Sequence, residues 1–159
     1  MMLEAIIESQ EDLKIFLPWV PYALTSKESI ANTKQAIANF ENFEGELRFS
    51  IFEKETGIFA GAIGLMVIDK EIPYFEIGYW LRSSLVGNGY MTEAVKIIEE
   101  YAFSELKAKR VEIKTSDKNV KSYAIAERCG YKYEGRLINH RKLPNGEVGN
   151  TVVYAKTCL

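Results

Sequence analysis

Two glycines stand close together in the segment "SSLVGNGYMTEA", which joins a strand-like run to a helix-like run. The first turn of a helix has unpaired backbone N–H groups and a partial positive charge, so a phosphate placed there gains several hydrogen bonds. Gly87 and Gly89 have no β-carbon and therefore allow a phosphate to approach to contact distance. Taken alone, the spacing is typical both of a phosphate site and of a tight turn.

Two other kinds of phosphate motif are excluded by the residues that follow. A Walker loop requires Gly-Lys-Ser/Thr, whereas this chain has Tyr90 and Met91 after Gly89. A dinucleotide-binding fingerprint requires a third glycine where Thr92 stands, and it normally opens the first strand–helix unit of a parallel sheet. Three predicted strands precede this segment, so its place in the chain also disagrees with a dinucleotide-binding fingerprint.

Hydrophobic periodicity predicts the elements that position this loop. Residues 3–17 have a broken helical stripe that ends before Pro18, and a second helix follows the capping box of Thr25 and Glu28. The apolar face of that second helix consists of Ile30, Thr33, Ile37 and Phe40. The period then changes, and "ELRFSIFEKETGIFAGAIGLMVI" predicts two strands that turn at Gly57, with "YFEIGYWLR" as a third strand.

The second half of the chain continues this alternation. The helix after the loop has one apolar face, formed by Met91, Ala94, Val95, Ile98 and Ala102. "RVEIKTS" predicts a strand, a helix runs from Asn119 to a stop at Gly130, and the remainder is a hairpin with "PNGE" at its tip. The whole pattern describes an α+β fold, a mixed sheet with helices on both faces.

Length and charge indicate one domain over residues 1–159, with no nucleic-acid or membrane partner. The net charge is −2 and the pI is about 5.6, so the chain has no general cationic field for nucleic acid or anionic lipid. The longest apolar run, residues 58–68, is shorter than the roughly 20 residues that cross a bilayer. The acidic N-terminal segment has no basic region typical of a targeting signal, so we expect a cytoplasmic protein.

Cysteine and histidine usage predicts no metal site. Cys129 and Cys158 lie far apart and match no zinc pattern, so we expect two free thiols. His140 is the one histidine, which excludes a multi-histidine site within this chain.

Motifs on both sides of the loop resemble the GNAT superfamily of N-acetyltransferases. The segment "FEIGYWLRSSLVGNGYMTEAV" is followed about 30 residues later by "NVKSYAIAERCGYKYEG". These motifs are most similar to the RimJ/RimL-like branch, which acetylates the N-termini of ribosomal proteins. The resemblance runs from "LPWVP" to the C-terminus and implies the GNAT fold, with a twisted, mostly antiparallel central sheet. The first strand usual in this family has no counterpart in the sequence.

The resemblance implies acetyl-CoA as the acetyl donor, and no metal. Backbone N–H groups of the loop would hold its pyrophosphate; the residues are Gly87, Asn88, Gly89, Tyr90, Met91 and Thr92. The pantetheine arm would run beside Leu81 and Arg82, and Asn119 would form a hydrogen bond with this arm. Ser84 departs from the Gln or Arg that begins the family's loop motif, and Arg82, Lys118 and Lys121 flank the expected groove.

The resemblance also implies candidate catalytic residues. Glu76 would accept the proton of the amine, directly or through water, although a strand glutamate paired with a nearby Lys or Arg is the alternative. Ala126 stands where many superfamily members have a tyrosine acid, and Ser122 becomes the candidate proton donor to the CoA thiolate. A serine in a first helical turn can also be only a cap. A backbone N–H near residues 79–81 would stabilise the oxyanion.

The acceptor is predicted to be a primary amine that attacks directly in a ternary complex. The candidate acceptor-binding residues are Trp19, Tyr79 and His140, and Trp80 is a further candidate for the cleft wall. The alternative for these aromatic residues is an ordinary place in the core. An α-amine with a pKa near 8 is about one-tenth neutral at pH 7, whereas a lysine is neutral only to roughly a few parts in ten thousand. An α-amine therefore needs little help to lose its proton, and the resemblance to the RimJ/RimL-like branch implies the N-terminus of a protein as the acceptor. The alternatives are a small-molecule amine acceptor and a non-catalytic acyl-CoA-binding module.

Either the natural start lies upstream of Met1 or the first strand has been lost, and a lost strand predicts a homodimer. Without it, "ELRFSIF" becomes a sheet edge with unpaired backbone groups, which favours pairing with a second chain.

Overall fold

The computed structural model describes residues 1–157, which form a six-stranded sheet with four α-helices. The helices are α1 (Met2–Leu13), α2 (Ser26–Asn42), α3 (Tyr90–Ser104) and α4 (Val120–Arg128). The strands are β1 (Glu46–Phe52), β2 (Phe59–Asp69), β3 (Tyr74–Leu81), β4 (Arg110–Ser116), β5 (Lys132–Lys142) and β6 (Val148–Thr157). Short 3-10 turns occupy Val20–Tyr22 and Ser83–Leu85. The predicted order of helices and strands is confirmed.

The sheet has the strand order β1-β2-β3-β4-β6-β5. Every neighbouring pair is antiparallel except β3 and β4, which run parallel. The connection from β3 to β4 contains α3, as a parallel crossover requires. The predicted mixed, mostly antiparallel sheet is therefore confirmed, and the junction of β3 and β4 is its one parallel pairing within residues 1–157.

The two faces of the sheet bury different residues. Ile63 and Tyr79, paired in register, face the larger core, which includes the buried face of α3. Ala62 and Trp80, the next pair along, face a smaller core that includes Ala5 of α1. Alternation along the strands thus places helices on both faces, as predicted.

α1 ends four residues earlier than its sequence pattern predicts. The helix stops at Leu13, whose carbonyl accepts hydrogen bonds from the N–H groups of Phe16 (3.2 Å) and Leu17 (2.9 Å). This tight turn replaces the last predicted helical turn before Pro18. As a result, Phe16 and Leu17 reach the separation between β3 and β4.

α2 has the predicted N-terminus, but its apolar face does not enter the core. Thr25 and Glu28 form the predicted capping box. No residue of α2 is buried, and Ile30, Ile37 and Phe40 are 57%, 54% and 42% exposed. The apolar stripe that marks the helix therefore lies at the surface.

β1 forms one edge of the sheet, as predicted, but α2 contacts its first half. The Asn39 side-chain oxygen accepts from the Glu46 N–H (3.2 Å), and the Arg48 guanidinium donates to the Asn32 carbonyl (3.0 Å). Residues 1–45 form helices and turns and add no strand to this edge. The edge is consequently less open than the sequence predicts.

Cys129 is buried and forms no disulfide, and Cys158 lies outside the described residues. Among the residues that the structure describes, no group of three His, Cys, Asp or Glu side chains could hold a metal ion. No helix in the same part of the chain is both long enough and apolar enough to cross a membrane.

Candidate functional site

β3 and β4 pair only briefly and then separate. Residues 74–76 pair with residues 110–112, whereas β3 remains paired with β2 as far as Leu81. The separation leaves a cleft of about 100 Å³ at the N-terminal end of α4. The residues in its wall that bear on the chemistry are Tyr79, Lys114, Asn119, Ser122 and Arg141. The strand separation predicted beside "RVEIKTS" is present.

The glycines of the loop have backbone conformations that other residues adopt with strain. Gly87 and Gly89 have φ angles of 96° and 83°. A β-carbon built on either residue would have no other atom within 4 Å, so crowding is not the reason for glycine here. The conformation requires glycine, and the space above both residues is open to a ligand.

The N–H groups of this loop are available to a ligand. Gly89 is the N-cap residue of α3, and because glycine has no side chain it forms no side-chain capping hydrogen bond. Within residues 1–157, no backbone or side-chain oxygen accepts a hydrogen bond from the N–H groups of residues 87–92. The arrangement fits an anion with several oxygens, such as a pyrophosphate. The residues predicted to bind the cofactor pyrophosphate are therefore together and unobstructed.

The residues just before the glycines attach the loop to α1. The Ser84 hydroxyl donates to the Glu8 carboxylate (2.7 Å), and the Ser83 N–H donates to the Ser9 hydroxyl (2.9 Å). The Ser83 hydroxyl also contacts Asp12. Ser84, which departs from the family pattern, thus has a structural partner of its own.

Arg82 belongs to the same attachment. Its guanidinium lies 2.9 Å from both Glu4 and Glu8; the contact of Nε with Glu8 is an ion pair without hydrogen-bond geometry. The backbone N–H of Arg82 donates to the Ala60 carbonyl (2.7 Å), and the backbone carbonyl of Arg82 accepts from the Leu85 N–H (3.0 Å). The structure therefore places the polar groups of Arg82 in contacts within the chain, unlike the free N–H groups of the loop.

Tyr79 and Ser122 meet across the cleft. The Tyr79 hydroxyl donates to the Ser122 carbonyl (2.9 Å), and the Ser122 hydroxyl donates to the Tyr79 oxygen (3.3 Å). Asn119 caps α4 by accepting from the Ser122 N–H (3.3 Å). Burial raises the pKa of Tyr79 to about 12, although its hydrogen bond with Ser122 acts in the opposite direction. The pair therefore presents two protonated hydroxyls at neutral pH.

Glu76 takes part in an ion-pair network with β4. Its Oε2 lies 3.0 Å from the Lys114 ammonium, which also lies 2.9 Å from Glu112. Burial lowers the pKa of Lys114, but hydrogen bonds with Glu112 and Glu76 outweigh this effect and raise the pKa above its usual range. Tyr74 and Arg110 also bond to Glu112. The structure thus contains the ion pair that is the alternative to a catalytic Glu76, and leaves its Oε1 without a protein partner within residues 1–157.

His140 and Arg141 lie on β5, and Arg141 is the one that lines the cleft. Arg141 Nε donates to the Thr151 hydroxyl (2.8 Å), whose oxygen also lies 3.1 Å from His140 Nδ1. Because the Thr151 oxygen accepts from Arg141, its own hydrogen is free to point at Nδ1. His140 is exposed, while Arg141 is half-buried. The predicted acceptor-side position of His140 is therefore occupied by its neighbour.

The predicted acceptor aromatics differ in their surroundings. Trp19 packs against Trp80, with ring centroids 6.1 Å apart, and both belong to the smaller core. Tyr79 is in the cleft wall. The structure thus gives Trp19 a packing role in the smaller core, and Tyr79 a position in the cleft beside Ser122.

A wider groove of about 480 Å³ lies beside the cleft and shares Phe16 with it. Its walls are mostly apolar; they include Ile15, Phe16, Pro21, Leu143 and Pro144. Lys118 lies at its rim, 3.7 Å from Glu147, and Lys121 is exposed. This groove is larger than the cleft and opens beside it.

Lys114 and Arg141 are the site residues that sequence reasoning missed. Lys114 alternates with core residues in "RVEIKTS", which signals only a solvent-facing position. Arg141 follows His140 in a hairpin strand, where an arginine is commonly exposed. Their roles depend on strand register and on an irregularity in β5, and neither has a local signature.

Comparisons with known proteins agree with this geometry. Residues 2–132 match the family described as acetyltransferase (GNAT) domain. The chain is 35% identical over 102 residues to the "uncharacterized N-acetyltransferase p20" of Bacillus licheniformis, a match that covers 64% of this chain and 57% of p20. It is 32% identical over 139 residues to the "putative ribosomal N-acetyltransferase YdaF" of Bacillus subtilis strain 168, which covers 85% of this chain and 73% of YdaF.

A solved structure has the same fold and aligns with nearly all of this chain. The microcin C7 self-immunity acetyltransferase MccE, crystallised with acetyl-CoA and AMP, has a TM-score of 0.86 and 28% identity. The match covers 98% of this chain and 84% of MccE. By contrast, the chain spans little more than half the length of p20. Together these matches confirm the family and the fold that the sequence motifs predict.

Proposed function

The chain belongs to the GNAT acetyltransferase family, and on this premise we propose that it transfers the acetyl group of acetyl-CoA to the N-terminal α-amine of a protein. The observation that carries the proposal is the row of free N–H groups at residues 87–92, at the start of α3. Such a row suits the pyrophosphate of CoA. The cleft between β3 and β4 then offers the pantetheine arm a path toward Tyr79 and Ser122.

Three considerations support an α-amine as the acceptor. An α-amine is about one-tenth neutral at pH 7 and therefore needs little help to lose its proton. The groove beside the cleft is open and mostly apolar, which suits an extended N-terminal segment. The name of YdaF assigns that relative to ribosomal N-acetylation. We place the reaction in the cytoplasm, where new protein N-termini are made.

The residues around the cleft would control two proton movements. Bound acetyl-CoA supplies an activated thioester: the amine forms a C–N bond with its carbonyl carbon while the C–S bond breaks. The amine proton leaves through a water molecule to Glu76 Oε1, because Lys114 already holds Oε2. Asn119 fixes the first turn of α4 and hydrogen-bonds the cofactor arm.

The Ser122 hydroxyl would donate to the departing thiolate, with Tyr79 holding Ser122 in place. Direct proton transfer from Tyr79 to a thiolate with a pKa near 8.5 would be uphill by about 5 kcal/mol, because burial raises the pKa of Tyr79 to about 12. Tyr79 therefore acts as a hydrogen-bond donor and not as the net source of the proton. The thiolate of a low-pKa thiol can take its final proton from solvent.

We also propose that the protein forms a homodimer through α2. The predicted route, pairing of open β1 edges, is limited because α2 contacts β1 through Asn39 with Glu46 and through Asn32 with Arg48. The exposed side chains of Ile30 and Ile37 offer a second copy of the chain an apolar surface instead.

A thiol-release screen tests the proposed function. Purified protein is incubated with acetyl-CoA and three acceptor sets: peptides with free α-amines, the same peptides with blocked N-termini and internal lysines, and small amines. We expect CoA release with the first set alone. Turnover with small amines alone would contradict the protein-N-terminus assignment. Thermal stabilisation by acetyl-CoA without turnover of any acceptor would instead indicate a non-catalytic binding module.

A further inference from the structure

Arg141 lines the cleft and forms no ion pair with a carboxylate of residues 1–157. Within residues 1–157, no carboxylate oxygen lies within 4 Å of its guanidinium. Lys114, the other cation in the cleft wall, lies 3.0 Å from Glu76 and 2.9 Å from Glu112. Lys118, at the neighbouring rim, is 3.7 Å from Glu147. Arg141 is therefore the cation of the cleft whose charge is left for a ligand.

The position of Arg141 makes an added anion favourable. The side chain is half-buried, and burial lowers its pKa, while Glu76 and Asp117 act in the opposite direction. A guanidinium nevertheless remains charged at physiological pH. A partly desolvated charge is costly without a partner, and a carboxylate held by the two terminal nitrogens removes that cost.

An irregularity in β5 sets the position of Arg141. Leu137 pairs with Thr151 and Arg141 pairs with Gly149, so β5 has extra residues opposite β6. Asn139 within this bulge has a φ of 52° and donates its N–H to the Asn150 side chain (3.0 Å). Bulges of this kind redirect side chains, often beside active sites.

The bulge is in turn attached to the end of β4. The Asn150 amide donates to Asp117 Oδ2 (2.8 Å), and the Arg136 guanidinium bonds to the same oxygen. Arg141 Nε donates to Thr151, which is fully buried, and the two terminal nitrogens have no partner within residues 1–157. The guanidinium is thus held through Nε, and its two terminal nitrogens are available to a ligand.

We infer that Arg141 selects acceptors that carry a carboxylate close to the reacting amine, an inference that rests on the proposed acetyltransferase function. Ser122 and Arg141 both line the cleft of about 100 Å³, so the amine and the carboxylate must be only a few bonds apart. The carboxylate comes from an acidic side chain at the first or second residue of a protein N-terminus, or from the α-carboxylate of a free amino acid. The apolar groove lined by Phe16 and Leu143 receives the rest of the acceptor.

Matched acceptor pairs test this inference in the wild-type protein. Peptides beginning Asp, Asn, Ala-Asp and Ala-Asn share the same remaining sequence, and free leucine is paired with leucine amide. Within at least one pair, we expect kcat/KM to favour the carboxylate by roughly tenfold or more. The pair that shows the preference identifies the source of the carboxylate, and a preference in the leucine pair alone would retain the role of Arg141 but contradict the protein-N-terminus assignment.

Three variants then assign the preference to Arg141. In Arg141→Met the ratio within the preferred pair should fall to about one, and in Arg141→Lys it should be intermediate, because an ammonium lacks the planar fork. Lys142→Met, an exposed neighbour with the same charge change, should retain the wild-type ratio. Acetyl-CoA stabilisation of each variant in a melting assay shows that it is folded.

Two results overturn the inference and are distinguishable. Acetylation of all pairs without a carboxylate preference, or a preference unchanged in Arg141→Met, removes the inference and leaves the proposed function intact. Acetyl-CoA binding without acetylation of any amine removes both.

Discussion

At the scale of single residues, the proposed chemistry depends on two hydroxyls that are hydrogen-bonded to each other. Tyr79 is mostly buried and donates to the Ser122 carbonyl, while Ser122 donates back to the Tyr79 oxygen. Because Ala126 stands where a tyrosine acid is common in the superfamily, α4 itself offers no phenol at that position. Tyr79 brings a phenol to the same region from β3. The serine therefore has a fixed orientation, which a cap residue alone would not have.

Removal of either hydroxyl should slow turnover without weakening the binding of acetyl-CoA. Ser122→Ala and Tyr79→Phe should each lower kcat roughly tenfold, since each removes one oriented hydrogen bond near the leaving thiolate. The dissociation constant for acetyl-CoA, measured by calorimetry, should stay within about threefold of the wild-type value. Unchanged kcat in Ser122→Ala would exclude the hydroxyl from the mechanism.

The pH profile provides an independent test of the same pair. Since burial raises the pKa of Tyr79 to about 12, its hydroxyl stays protonated up to about pH 10. The rate with an α-amine peptide should rise to about pH 8 as the amine loses its proton and then stay level to about pH 10. A falling limb below pH 10 that disappears in Tyr79→Phe would contradict the raised pKa. The folded state also holds the Tyr79 proton more tightly than the unfolded state does. The free energy of unfolding should therefore fall as the pH rises from the unfolded pKa of Tyr79 to its folded pKa of about 12.

At the scale of elements, the loop before α3 combines a rigid base with free N–H groups. Ser83 and Ser84 attach its start to α1, and the glycines that follow take left-handed conformations without side-chain contacts. A phosphate would therefore meet a preorganised surface and would not have to order a mobile segment. This arrangement explains why Ser84 is compatible with the function despite its departure from the family pattern.

Gly89 and Gly57 form a matched pair for testing the loop. Their φ angles are 83° and 69°, and a β-carbon on either would have no neighbour within 4 Å. Gly89→Ala and Gly57→Ala should therefore each destabilise the fold by about 1 kcal/mol, because alanine is strained in this conformation. Only Gly89→Ala should reduce the thermal stabilisation given by acetyl-CoA. Equal stabilisation by acetyl-CoA in the two variants would contradict the phosphate role of the loop.

Local patterns predicted the elements well, whereas contacts between distant elements were not predictable. The buried face of α3 and the Thr25–Glu28 capping box follow from spacing within one helix, and both are present. The partner of Glu76 depends on the register of β3 against β4, and the position of Arg141 depends on a bulge in β5. Neither register nor bulge leaves a mark in a single sequence. The loop glycines were found because their backbone requirement is local.

At the scale of the whole molecule, the exposed face of α2 remains unexplained by a single copy of the chain. Ile30 and Ile37 are more than half exposed, although their spacing is typical of a buried helical face. α2 packs on β1 through Phe40, whose ring centroid lies 5.2 Å from that of Phe49, and through Asn39, while Ile30 and Ile37 point away from the sheet. The helix is thus attached to the sheet while these two isoleucines face outward, which is the arrangement expected of a dimer interface.

Light scattering at tens of micromolar tests the dimer. The wild-type protein should have about twice the mass of the 18.1 kDa chain. Ile37→Lys should raise the dimer dissociation constant by roughly 30-fold, because it places a charge in the centre of an apolar contact. Ile97→Lys, at an isoleucine of α3 that is 58% exposed, changes charge in the same way and should leave the dimer intact. A monomeric wild-type protein, or equal effects of the two substitutions, would contradict the α2 interface and leave the acetyltransferase site unaffected.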